Sequence, residues 1–181
     1  LHSQLQVKNF FNFSGKKDVP VTVITQDYNG YLLLGTNKGL YKFDGKTAFE
    51  LERESGILKQ EISALFVDTK ETLWIGTKSG KVYFIHHSKL DSLQFGSKTN
   101  TEKITSFCEI ENGICFGTYG NGLYCYTPKN FRHLTSKEGL SDNVIYRIIC
   151  DAESKMWLGT DAGITQITNL LKDPQFTTIS D

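Results

Sequence analysis

Apolar and polar residues alternate over short stretches along the whole chain, a period of two that predicts β-strands, and no stretch sustains the 3.6-residue period of a helix. Glu61 to Asp68 predicts one strand, Thr72 to Thr77 a second through Leu73, Trp74 and Ile75, and Lys81 to Ile85 a third after the Ser79-Gly80 turn. The same trio is expected at Val21 to Asp27, Tyr31 to Thr36 and Leu40 to Phe43. It returns at Ile104 to Glu109, Ile114 to Thr118 and Leu123 to Tyr126, and again at Val144 to Asp151, Met156 to Thr160 and Ile164 to Ile167. A weaker fourth strand is expected around Phe49, Phe131 and Phe176.

The trios keep a fixed register. A Gly-Thr pair closes the second strand at Gly35, Gly76, Gly117 and Gly159, spaced 41, 41 and 42 residues apart, and an acidic residue stands eight positions earlier at Asp27, Asp68, Glu109 and Asp151. Four antiparallel strands per 40 to 45 residues, repeated, predict an all-β fold: a β-propeller of four blades, part of a larger propeller. The repeats are placed at about 14–53, 54–96, 97–136 and 137–181.

Each recurring residue has a structural reading. The acidic residue ends a strand and accepts backbone N–H groups of the following turn. The glycine leaves room for a neighbouring backbone or ring, the threonine offers its hydroxyl to the next turn, and Gly39, Gly80, Gly122 and Gly163 supply the positive φ of a tight hairpin. Two residues before each Gly-Thr pair, Leu33, Trp74, Cys115 and Trp157 form an apolar slot expected to pack between blades.

The segments Gly35 to Phe43, Leu73 to Gly80, Gly117 to Tyr126 and Met156 to Gly163, with the connection Glu138 to Val144, resemble the two-component regulator propeller repeat. Leu33 and Cys115 in the tryptophan slot, Glu109 in the acidic slot and Lys81 depart from the pattern. The resemblance implies a ligand-sensing region on the periplasmic side of the inner membrane, joined to a kinase or other output module, with carbohydrates among the signals.

Charge and composition narrow the alternatives. Twenty basic residues balance 20 acidic ones, with 39% hydrophobic and 22% charged residues, and only Arg53, Arg132 and Arg147 are arginines, so no basic stripe suits a row of phosphates and no nucleic acid is expected as partner. No apolar run is long enough to cross a bilayer as a helix. The chain opens at Leu1, which is compatible with a signal peptide already removed. Cys108, Cys115, Cys125 and Cys150 do not fix the compartment; Cys115 and Cys125 can be cross-strand neighbours, and buried free thiols are the preferred reading.

No cofactor or metal site is expected. His86 and His87 are adjacent in a strand and should point to opposite faces, and Glu109 and Glu111 sit in structural turn positions rather than flanking a substrate. Ligand contacts are expected in the second-to-third-strand turns and the loops entering each blade, where Lys78, Tyr119, Asn121, Asn143 and Asp161 differ from their counterparts. The leading reading is a non-catalytic sensing module; the alternatives are an extracellular propeller lyase or glycoside-active enzyme, and a protein-binding scaffold. D-like segments at Gln6 to Phe13 and Gln175 to Ser180 flank the four trios, so an open arc that self-associates or joins further blades is expected.

Overall fold

The computed structural model describes residues 19–51, 59–94 and 102–180. They form four four-stranded antiparallel meanders. The first holds β1 (Val21–Gln26), β2 (Leu32–Thr36), β3 (Gly39–Phe43) and β4 (Ala48–Glu50). The second holds β5 (Ile62–Val67), β6 (Leu73–Thr77), β7 (Val82–His86) and β8 (Lys89–Ser92). The third holds β9 (Ile104–Ile110), β10 (Gly113–Thr118), β11 (Leu123–Thr127) and β12 (Asn130–Leu134), and the fourth β13 (Ile145–Cys150), β14 (Met156–Thr160), β15 (Gly163–Thr168) and β16 (Gln175–Ile179). The segment Gln6 to Phe13 lies outside the described residues. No helix among the described residues is long and apolar enough to cross a membrane.

Each first strand packs on the next, β1 on β5, β5 on β9 and β9 on β13, so the four sheets stand face to face around one inner row. Successive side chains of these strands point to opposite faces, one toward the previous blade and one toward the next. The joints are apolar: Leu33 and Leu40 of the first blade meet Ile62, Ile75 and Tyr83 of the second. Ala64, Trp74 and Val82 of the second meet Ile104, Phe116 and Tyr124 of the third. The third blade meets the fourth through Cys115, Leu123, Ile145 and Leu158.

The Gly-Thr pairs explain how closely the blades approach. A Cβ on Gly35 would lie 2.8 Å from Ile62 Cγ2, one on Gly76 2.5 Å from Ile104 Cγ2, and one on Gly117 2.7 Å from Ile145 Cγ2. The glycine therefore accommodates a β-branched side chain of the next blade, where the sequence suggested backbone or a ring. The threonine behaves as expected: Thr36, Thr118 and Thr160 donate their hydroxyls to the carbonyls of Gly39, Gly122 and Gly163 at 2.7, 2.8 and 2.9 Å.

Asp68 caps its turn, its Oδ1 accepting the N–H of Lys70 at 2.9 Å and of Thr72 at 2.8 Å, while its Oδ2 accepts the Trp74 indole N–H at 2.9 Å. Asp151 does the same with Glu153, Lys155 and Trp157, each at 2.9 Å. Asp27 has Leu33 where those blades have tryptophan, and its Oδ2 instead meets Lys42 Nζ at 2.8 Å. Burial pushes the Asp27 carboxyl up, but Lys42 and the N–H groups of Tyr31 and Asn29 outweigh it and hold the group below the usual range.

Glu109 breaks the expected rule. Ile110 pairs with Gly113 across a two-residue Glu111-Asn112 turn, Asn112 standing at φ 58°, so β9 runs past Glu109, which lies inside the strand. Its carboxylate reaches back to the second blade, where it accepts the Thr69 N–H at 2.9 Å and the Thr69 hydroxyl.

Three further expectations change. All four cysteines are paired rather than free: Cys115 with Cys125 within the third blade, and Cys108 with Cys150 across the third joint, at Cα separations of 4.1 and 6.2 Å. His87 leaves the strand at φ 47°, which brings its ring against that of His86, centroids 4.0 Å apart, instead of to the opposite face. The strand β8 was not legible in the sequence, because its KLDS core offers no aromatic anchor.

Candidate functional site

The turns after β2, β6, β10 and β14 and the loops entering β5, β9 and β13 share one end of the arc, because each first strand begins beside the end of the second. At the third joint this end gathers an aromatic and acidic cluster. Tyr119, the residue after the Gly-Thr pair of β10, forms an isolated bridge with Val144 and donates its N–H to Lys103 O at 2.9 Å. That bridge carries its ring across to Tyr146 of β13, and the two meet edge to face with centroids 5.9 Å apart.

The Tyr146 hydroxyl donates to Asp161 Oδ1 from the turn after β14. This hydrogen bond to Asp161, with the nearby carboxylate charge, pushes the Tyr146 phenol up to about 12. Both tyrosines are about half exposed, so two ring faces and a carboxylate stand open to solvent. Of the five residues singled out from the sequence, Tyr119 and Asp161 belong to this cluster.

Asn121 and Asn143 serve the adjoining loop instead. Asn121 Nδ2 donates to the Tyr124 hydroxyl at 2.6 Å, Asn121 O contacts His133 Nε2 at 2.7 Å, and the His133 ring stacks on Tyr124 with centroids 4.1 Å apart. Asn143 Oδ1 accepts the Ser136 N–H at 2.8 Å and its carbonyl accepts the Gly122 N–H at 2.9 Å, which fixes the loop entering the fourth blade. Lys78 stands at the neighbouring joint, paired with Glu61 at 2.9 Å on the surface.

Tyr146 was missed, although a signal for it exists. The residue after the first β-branched position of each blade is Thr22, Ser63, Thr105 and Tyr146, so one bulky phenol stands in a slot of small hydroxyls. Ser63 uses that slot to donate to Ile104 O of the next blade at 2.6 Å, whereas the longer Tyr146 projects out to Asp161.

At the opposite end a groove of about 480 Å³ opens between the third and fourth blades, with Glu109, Glu111, Asp151, Glu153 and Lys155 on its walls. Both oxygens of Glu109 are engaged by Thr69, and Asp151 is engaged by its own turn and Trp157. These carboxylates brace turns. Among the described residues no group of three or more His, Cys, Asp or Glu side chains is placed to hold a metal ion.

Four radially packed antiparallel meanders define a β-propeller. Residues 139–162 match the family model described as two component regulator propeller. A histidine kinase P4 of Formosa agariphila is 30% identical over 137 residues, 68% of this chain and 10% of that protein. Among solved structures, the extracellular domain of the putative one component system BT4673 from B. thetaiotaomicron superposes with a TM-score of 0.76 at 20% identity, over 94% of this chain and 23% of that one. A catalytically inactive virginiamycin B lyase from Staphylococcus aureus with quinupristin superposes with a TM-score of 0.68 at 17% identity, over 93% of this chain and 58% of that one. The chain thus spans a tenth of the kinase's length and less than a quarter of the BT4673 domain. Residues 139–162 carry a two-component regulator propeller repeat, and the chain as a whole has the β-propeller fold.

Proposed function

We propose that this chain is a non-catalytic ligand-reading propeller of a two-component regulator, displayed on the periplasmic side of the inner membrane. We further propose that it reads a carbohydrate or other small molecule at the Tyr119, Tyr146 and Asp161 cluster. The observation that carries the reading is the pair of half-exposed rings set edge to face beside a carboxylate at the mouth of a rigid joint. Aromatic faces cover the apolar C–H surface of a sugar ring, and a carboxylate accepts its hydroxyls. A phenol held near 12 stays protonated at neutral pH, which suits a hydrogen-bonding group and not a general base.

The periplasmic reading has two supports. The BT4673 domain is described as extracellular, and the two disulfides suit an oxidising compartment. The fold is also shared with a lyase, so the test must detect turnover as well as binding. Isothermal titration with a panel of neutral and acidic oligosaccharides should give binding that Tyr146→Ala and Tyr119→Ala each weaken about tenfold, the scale of one lost aromatic contact. Mass spectrometry of the mixtures should show the sugars unchanged; consumption of the bound sugar would overturn the non-catalytic reading.

A further inference from the structure

The four cysteines form one row inside the third joint. Cys115 of β10 stands directly opposite Cys108 of β9 on one side and Cys125 of β11 on the other, so three cysteines lie side by side on one face of three adjacent strands. That face meets the fourth blade, whose Cys150 completes the row by bonding Cys108. Cα atoms of directly opposite residues are about 4.5 or about 5.5 Å apart, and a disulfide spans about 4.4 to 6.8 Å. Register therefore allows Cys115 to bond either neighbour, Cys125 or Cys108.

Access to the row is one-sided. Cys115 and Cys125 are 0% and 2% exposed and Cys108 is buried as well, whereas Cys150 is only partly buried and lines the groove of about 480 Å³ between the third and fourth blades. The groove carries four carboxylates, Glu109, Glu111, Asp151 and Glu153, against two lysines, Lys155 and Lys172. Its net negative charge disfavours an anionic thiol and admits a neutral or cationic one.

We propose that this groove is a thiol–disulfide exchange site for a neutral or cationic dithiol, with Cys150 the sulfur attacked and Cys115 the relay that carries the exchange inward. One thiolate of the dithiol bonds Cys150 Sγ and breaks the Cys108–Cys150 bond, leaving the electron pair on Cys108. The second thiolate of the dithiol displaces Cys150, so the reagent departs as a cyclic disulfide and Cys150 takes up a proton. The Cys115–Cys125 bond runs across the sheet from β10 to β11 with Cys108 next in line on β9, the direction from which a thiolate displaces a disulfide sulfur. Cys108 thus bonds Cys115 and expels Cys125, which takes up the second proton. The dithiol loses two electrons, and the protein gains two thiols and keeps one disulfide.

The exchange changes what the remaining disulfide holds. Among the described residues Cys108–Cys150 is the one bond besides the chain itself that ties two blades together, and Cys108–Cys115 would lie within the third blade alone. Reduction through the groove therefore unlatches the joint at whose other end Tyr119 meets Tyr146.

The test treats the intact, folded chain with one equivalent of dithiothreitol, quenches in acid, alkylates with N-ethylmaleimide and maps the peptides by mass spectrometry. Label should fall on Cys125 and Cys150, with a Cys108–Cys115 linked peptide. In Cys115→Ser combined with Cys125→Ser, which lacks the relay but keeps the outer disulfide, label should fall on Cys108 and Cys150. At low ionic strength and equal thiolate concentration, the cation cysteamine should form the Cys150 mixed disulfide about tenfold faster than the anion glutathione, and the gap should close in about 1 M salt. Label on Cys108 and Cys150 of the unaltered chain, label on Cys115 and Cys125, a folded chain inert to dithiothreitol, or equal rates for the two thiols at low salt would overturn the proposal.

Discussion

The indole N–H of Trp74 donates to Oδ2 of Asp68 at 2.9 Å, while Oδ1 of the same carboxylate holds the turn between them. The acidic slot and the tryptophan slot, six residues apart, are therefore two halves of one device that locks the second strand to the end of the first. Trp157 and Asp151 repeat it, and Lys42 substitutes for the indole at Asp27.

Asp68 is buried and accepts three donors. Asp68→Ala should lower unfolding free energy by about 2 kcal/mol, since three donors lose their acceptor, and Trp74→Phe by about 1 kcal/mol. Urea denaturation of the two variants checks the order; a larger loss in Trp74→Phe would contradict it.

Asp27 and Asp151 are both held below the ordinary carboxylate range, Asp151 chiefly by the Trp157 indole and the Lys155 N–H. A carboxylate depressed in the folded state contributes stability that is present above its unfolded pKa near about 4 and is lost as pH falls through its folded value. Melting temperature should therefore be level from about pH 5 upward with respect to these groups and fall below about pH 4. In Asp27→Asn combined with Asp151→Asn that acid limb should be shallower.

Tyr146 should titrate near about 12, and Asp161→Asn should return it toward the ordinary tyrosine range, about 10. NMR of tyrosine ring carbons against pH separates Tyr146 from the other tyrosines. A raised pKa in the folded state means stability present below the unfolded value and lost as pH climbs through the folded one, so the Tyr146 titration acts on the alkaline limb of the stability profile.

The two disulfides predict no reactive thiol in the denatured, unreduced chain. Cys108 and Cys150 close a loop of 42 residues across the third joint, and removing that link by Cys108→Ser with Cys150→Ser should cost about 3 to 4 kcal/mol on the loop-closure account. Thiol titration and chemical denaturation provide the two readings.

Much of this fold is legible as a repeat, because blades packed at fixed spacing force the same residue into the same joint. The Gly-Thr pairs, the turn glycines and twelve strands follow from that, and Phe49, Phe131 and Phe176 mark three of the four outer strands. Spacing fails where it conserves position but not register: Glu109 stands eight residues before Gly117 as Asp68 does before Gly76, yet the tighter Glu111-Asn112 turn moves it into the strand. Pairing of Cys108 with Cys150 depends on two blades meeting, which local pattern does not report. Of the candidate site, turn position pointed to Tyr119 and Asp161, but Tyr146 lies in a strand and joins them only through the geometry of the third joint.

The most direct test of the central claim, that a ligand is read at the Tyr119, Tyr146 and Asp161 end of the arc, is an amide NMR titration with the same panel of neutral and acidic oligosaccharides. Shifts should concentrate at Tyr119, Gly120, Tyr146 and Asp161 and vanish in Tyr146→Ala. Shifts confined to the opposite end, at Glu109, Glu111, Asp151 and Lys155 around the groove, would place the ligand on the other face and contradict the account.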